Sequence, residues 1–225
     1  MFLGHFGVGF GVKAAAPKIS LGSLFIAAQF LDLLWPTLLL LNMETVRIAP
    51  ELQSVTPLIF DHYPISHSLL GATAWAAGIA LAYWLLRQNA RGAAIMAILV
   101  VSHWLLDVIV HRPDLPLFPG SAVLLGMDLW SSLPATLAVE MPLFALGVWM
   151  YARGTRALNA IGTWAFWSLV ALLLAVHAGN LFGPPPPSSE AIAWTGQAQW
   201  LLVLWGYWVD RHREAVSPRL SLNRA

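Results

Sequence analysis

The sequence predicts an all-α bundle of membrane-spanning helices, and three observations carry that reading. Of its 225 residues, 58% are hydrophobic and only 10% charged, where a soluble domain averages about 25% charged, and mean hydropathy is +0.68. The apolar residues gather into runs of about 20, the length a helix needs to cross a bilayer core. Ten of the twelve Lys and Arg residues then fall on one side of the resulting bundle. The abundance of Trp and Phe excludes a disordered chain. The absence of cysteine excludes a disulfide framework and any thiolate-held metal. A net charge of +1 with no basic stripe argues against nucleic acid as a partner.

The first element, Met1–Val12, is apolar but too short to cross, and Gly4, Gly7, Gly9 and Gly11 recur along it. A secretory signal needs a basic residue before the apolar run, and none is present. The better reading is a half-helix folded back into the bundle, with Gly7 and Gly11 as a small-xxx-small pair for close packing. Six spans follow: Ser20–Leu41, His67–Leu86, Ala93–Val110, Ser131–Tyr151, Ala160–Phe182 and Ala193–Val209. Prolines at 50, 57, 64, 113, 116 and 119 break the connectors, and Pro184–Pro187 predicts a stiff, extended link. Lys13, Lys18, Arg87, Arg91, Arg153, Arg156 and the four arginines after Asp210 define one face, leaving Arg47 and Arg112 on the other. By the positive-inside rule both ends of the six-span core face the cytoplasm. The expected organisation is one helical domain over residues 1–210, with a basic cytoplasmic tail over 211–225.

Ionisable side chains inside spans cost about 2.5–3.5 kcal/mol or more each, which makes every one a functional candidate. Asp32, His103, Asp107, Glu140 and His177 all fall within spans. At about 1.5 Å of rise per residue, Asp32 lies ~21 Å from Lys18, His103 ~18 Å and Asp107 ~24 Å from Arg91, and Glu140 ~14 Å below Ser131. His5 lies ~12 Å deep by the same measure. Most of these groups therefore share a depth between the midplane and the outer face.

His103-Trp-Leu-Leu-Asp107 is the strongest local motif, because i and i+4 project from one helix face. An imidazole and a carboxylate one turn apart suit zinc or manganese; a hydrogen bond between the two is the plainer alternative. His111, a turn later at the surface, reads as interfacial rather than as a third ligand. In Asp61-His62-Tyr-Pro-Ile-Ser66-His67-Ser68, Pro64 breaks the helix and Ser66 is expected as N-cap of the next span. His67 then sits in a first turn, where the macrodipole keeps the imidazole neutral, as a metal requires. His62 is a candidate for metal or substrate contact. Asp32 precedes Pro36, whose kink opens backbone, and a proton relay or helix pairing stands beside ligation. Glu140 is open between ligand, general base and helix-pairing residue. His177 reads as packing.

Taken in order, His5, Asp32, His62-Tyr-Pro-Ile-Ser-His67-Ser-Leu-Leu-Gly and Ser-His103-Trp-Leu-Leu-Asp107 resemble the YdjM-like (DUF457) membrane-bound metal-dependent hydrolases. The likeness runs from about Phe2 to Gly120. Phe30 stands where that family has the first Asp of Pro-Asp-x-Asp, and Ser66 where it has Thr. More remotely the order is similar to that of zinc-dependent phospholipases C and P1-type nucleases. The resemblance implies a hydrolase of a lipid or lipid-linked phosphoester at the outer leaflet. Its divalent metal, zinc or alternatively manganese, would be held by Asp32, His67, His103 and Asp107. His5 would complete that sphere or serve a second one, and Glu140 or His62 would carry the proton. The alternative from the same residues is a proton-coupled or metal-ion transporter.

Overall fold

The computed structural model describes residues 1–52 and 54–216. Gln53 and most of the expected tail, residues 217–225 with Arg219 and Arg224, lie outside them. The described chain is all-α, with helices α1 (Phe2–Val12), α2 (Leu21–Ala28), α3 (Phe30–Leu40), α4 (Pro64–His67) and α5 (Leu69–Arg87). They are followed by α6 (Ala90–Val110), α7 (Leu133–Gly154), α8 (Ala160–Phe182), α9 (Ser189–Gln197) and α10 (Gln199–Arg211). Among the described residues sheet is confined to three two-stranded antiparallel ribbons: β1 (Thr45–Ile48) with β2 (Leu58–His62), β3 (Leu115–Pro116) with β4 (Leu124–Leu125), and β5 (Thr155–Ala157) with β6 (Arg213–Ala215).

Helix starts follow local chemistry. Ser20, Ser68, Asn89, Ser132, Asn159 and Ser188 each accept the backbone N–H three residues on, which satisfies an orphan donor of the first turn. The expected cap Ser66 is not among them. Ser68 caps α5, and His67 is instead the last residue of the one-turn helix α4. The reason is a competing partner: the Ser66 hydroxyl is taken by Glu44. α5 ends at Gln88, whose left-handed backbone (φ 49°) turns the chain straight into the Asn89 cap of α6.

Among the described residues four helices, α5 to α8, are long and apolar enough to cross a membrane, and α2 with α3 makes a fifth if taken as one span bent by 59°. Six were expected. The sixth, Ala193–Val209, is divided at Ala198 into α9 and α10. Polar residues dilute the apolar run there: Gln197 Nε2 donates to Thr37 Oγ1 at 2.8 Å and Gln199 Nε2 reaches the Asp32 carbonyl at 3.5 Å. The first span breaks at Gln29, not at Pro36, which stays inside α3. Pro36 has no N–H for the Asp32 carbonyl four residues back, and Gln199 is the group that approaches it. On α5 to α8, Leu86, Ile98 and Trp164 point outward with two thirds or more of their surface exposed. Such faces are stable against lipid rather than water. The non-helical Pro184–Pro187 link is as expected.

Two apolar cores fill the bundle. One joins α2, α3, α5 and α6 through Leu24, Leu31, Ala72, Ala76, Leu99 and Trp104. The other joins α1, α7, α8 and α10 through Phe6, Phe10, Phe144, Tyr151, Phe166 and Val203. α1 is buried between them, as the half-helix reading requires. A side chain at Gly7 would meet the α7 backbone at Phe144 Cα, 2.8 Å away, and one at Gly147 would meet the Gly7 backbone in return. Only paired glycines permit that approach. Lys13, expected at the cytoplasmic surface, is instead buried, its Nζ 2.6 Å from Asp210 Oδ2.

Candidate metal centre

The packing of α1 and α6 against the α2–α3 bend and α4 brings five of the expected ligands together. Asp107 is central. Its Oδ2 lies 3.1 Å from His103 Nε2 and 3.8 Å from His67 Nε2, and its Oδ1 lies 3.0 Å from His5 Nε2. The Met1 amino nitrogen is 2.6 Å from the same Oδ1. Asp32 faces the pair from the bend, with Oδ1 3.5 Å from His67 Nε2 and Oδ2 3.7 Å from His103 Nε2. Ligand atoms of His5, His103 and Asp107, and likewise of Asp32, His67 and His103, lie within 4.8 Å of one another. Either group of three, with His103 common to both, is spaced to hold a cation. The His5 and His103 rings stack at 3.6 Å. Asp32 is the open side of the cluster, its side chain 26% exposed where the other four are at most 4%.

A test of fit comes from hydrogen bonding. His103 Nδ1 is 2.8 Å from the Ala28 carbonyl at the helix bend. A carbonyl only accepts, so Nδ1 carries the proton, and in the neutral ring Nε2 holds a lone pair. That Nε2 is fully buried and makes no aligned hydrogen bond, although it points among the oxygens of two carboxylates, Asp107 Oδ2 at 3.1 Å and Asp32 Oδ2 at 3.7 Å. Buried polar atoms are rarely left unpaired. A lone pair among carboxylate oxygens is the donor set of a divalent cation, and mixed imidazole–carboxylate sites suit zinc or manganese. The residues fit a metal.

The remaining candidates fall elsewhere. Glu140 is buried on α7 and its Oε2 accepts the Leu3 N–H at 3.0 Å, so it caps α1 from outside that helix. His62 is exposed at the end of β2, beside the Arg47–Asp61 ion pair at 2.7 Å. His111 Nδ1 lies 3.0 Å from Asp114 Oδ1, to which the Tyr63 hydroxyl donates at 2.6 Å. Burial lowers the pKa of His111 despite Asp114, and raises that of the Tyr63 phenol, where Asp114 adds to the effect. His177 is buried beside Phe2 with both ring nitrogens unpartnered. None of these four belongs to either ligand group among the described residues. Outward from His67, an aromatic collar runs through Trp35, Phe60, Tyr63 and Trp130, with ring centroids 5.2–6.3 Å apart along it.

One residue of the site had no sequence signal. Glu44, just past α3 in a stretch that reads as connector, is 1% exposed. Its Oε1 accepts the backbone N–H groups of Ile65 and Ser66 at 2.7 and 2.8 Å, and its Oε2 accepts the Ser66 hydroxyl at 2.5 Å. From the other side, Trp104 Nε1 donates to the His67 carbonyl at 2.8 Å. Both ends of α4 are thereby tied down. Compared with known proteins, the chain matches no family model, no curated protein and no solved structure.

Proposed function

We propose that this protein is a membrane-embedded, metal-dependent hydrolase that cleaves a lipid or lipid-linked phosphoester at the outer leaflet. The observation that carries the reading is the convergence of Asp32, His67, His103 and Asp107, with His5 against Asp107. A divalent ion held there, zinc or manganese, would polarise a phosphoryl oxygen and make water a competent nucleophile near neutral pH. The chain's own contribution is placement. His103 and Asp107 come from one turn of α6, Asp32 from α3 and His67 from α4, so the cluster forms only in the folded bundle. Asp32, the exposed member, marks the side from which substrate arrives. The aromatic collar suits a mouth at headgroup level, where Trp and Tyr concentrate. The distribution of basic residues supports a mouth that opens outside. This reading agrees with the resemblance to the YdjM-like hydrolases.

The test uses detergent-solubilised full chain, mixed lipid phosphoesters, and zinc or manganese. Metal-dependent product release that vanishes in Asp107→Ala is the expected result, together with loss of bound metal in His103→Ala by elemental analysis. A second reading has one observation in its favour. The bent α2–α3 span, with the Gln29 amide buried and unpartnered at the break, is a device that transporters use. No product in detergent, with proton or metal movement in reconstituted vesicles, would replace the hydrolase by the transporter.

A further inference from the structure

We infer that Glu44 is a positioning residue that acts through Ser66 to lock the ring of His67 with its proton on Nδ1 and its lone pair on Nε2. The metal role of that lone pair rests on the reading above; the lock itself does not. The proton assignment follows from counting donors. Glu44 accepts three hydrogen bonds, two from backbone N–H groups and one from Ser66 Oγ at 2.5 Å. A serine hydroxyl has one hydrogen, and here it is given to the carboxylate. Ser66 Oγ is also 2.7 Å from His67 Nδ1. With its hydrogen committed, the oxygen can only accept there, so Nδ1 is the donor. In the neutral ring the opposite edge then presents the Nε2 lone pair, 3.5 Å from Asp32 Oδ1 and 3.8 Å from Asp107 Oδ2.

The two histidines that face both carboxylates are thus set by different means to the same tautomer. His103 uses the Ala28 carbonyl freed at the bend. His67 uses a carboxylate–hydroxyl chain whose members are each at most 3% exposed. Outer partners of this kind hold ring orientation and raise ligand basicity, and their loss typically costs 10–100-fold in metal affinity.

Glu44→Gln makes the lock testable because it keeps the shape and reverses the sense. The amide oxygen must keep facing the two backbone N–H groups, which leaves its NH2 against Ser66 Oγ. An NH2 only donates, so the hydroxyl turns to His67 Nδ1 and the ring proton moves to Nε2. Spectra of isotope-labelled histidine nitrogens in the metal-free full chain should show the Nδ1–H ring of His67 in wild type and the Nε2–H ring in Glu44→Gln. Zinc affinity, by chelator competition, should fall about 10–100-fold in Glu44→Gln and in Ser66→Ala. Ser66→Thr, which keeps the hydroxyl, should match wild type in both measurements. An Nδ1–H ring that persists in both Glu44→Gln and Ser66→Ala overturns the lock. Inversion of the ring in Glu44→Gln, with no zinc or manganese bound by any variant, leaves the lock standing and removes the metal reading instead.

Discussion

The Gly7–Gly147 crossing gives a way to move the candidate metal centre without touching any of its proposed ligands. In Gly147→Ala the added Cβ would sit 2.6 Å from Gly7 C and 2.8 Å from Gly7 Cα, and closer still to the Gly7 carbonyl oxygen. All three atoms are backbone, so no side chain can swing aside. Ordinary contact begins near 3.4 Å, so α1 must back away by at least 0.8 Å. His5 lies two residues from Gly7 on this helix, its Nε2 3.0 Å from Asp107 Oδ1. A retreat of that size exceeds the roughly 0.2 Å tolerance of a metal–ligand distance several times over. Overpacking of this kind costs about 1–3 kcal/mol. The metal-bound state, which needs His5 back at ligand distance, must carry that strain, and at tenfold per 1.4 kcal/mol the expected loss of zinc affinity is roughly 5- to 140-fold. The assay is competition against a chromophoric chelator, with thermal unfolding of the metal-free protein alongside. Gly78→Ala is the control, since nothing lies within 4 Å of its new methyl. In a His5→Ala background the Gly147 substitution should cost no further affinity, because the ligand it displaces is gone. Wild-type affinity in Gly147→Ala would refute the coupling of α1 to the centre. An equal loss in the His5→Ala background would refute its transmission through His5.

Two further outcomes follow from the Lys13–Asp210 pair and from the charge pattern. Lys13→Met should lower the unfolding midpoint by the equivalent of about 3–5 kcal/mol, the usual result of removing one partner from a buried ion pair. Among the described residues it leaves the Asp210 carboxylate with Tyr151 as its remaining side-chain partner, at 3.1 Å; an unchanged midpoint would mean that the pair is not formed. Accessibility reporters placed at Arg91 and Arg156 should read cytoplasmic and one at Pro186 external. The reverse labelling would put the candidate metal centre toward the inner leaflet and end the proposed outer-leaflet assignment.

Features set by local periodicity and composition were legible in the sequence itself. The apolar runs placed α5 to α8, because twenty residues of low polarity have no other stable state than a buried or lipid-facing helix. The four-residue spacing of His103 and Asp107 put them on one face of α6 whatever the rest of the chain does. The glycines of the first element foretold a close helix crossing. Features that depend on partners distant in sequence were settled only by the tertiary structure. His5 and Asp107 are 102 residues apart, and no local pattern says that they meet. Pro36 invited a kink, but the bend came at Gln29, where the Ala28 carbonyl meets the His103 imidazole from another helix. Ser66 had the makings of a helix cap until Glu44 claimed its hydroxyl. Glu140 carried the same intramembrane carboxylate signal as Asp32, yet it caps α1 while Asp32 joins the cluster. The physical reason is common to all four. A buried polar group must find a partner, and which partner it finds is decided by the packing of helices that the backbone's own periodicity does not specify.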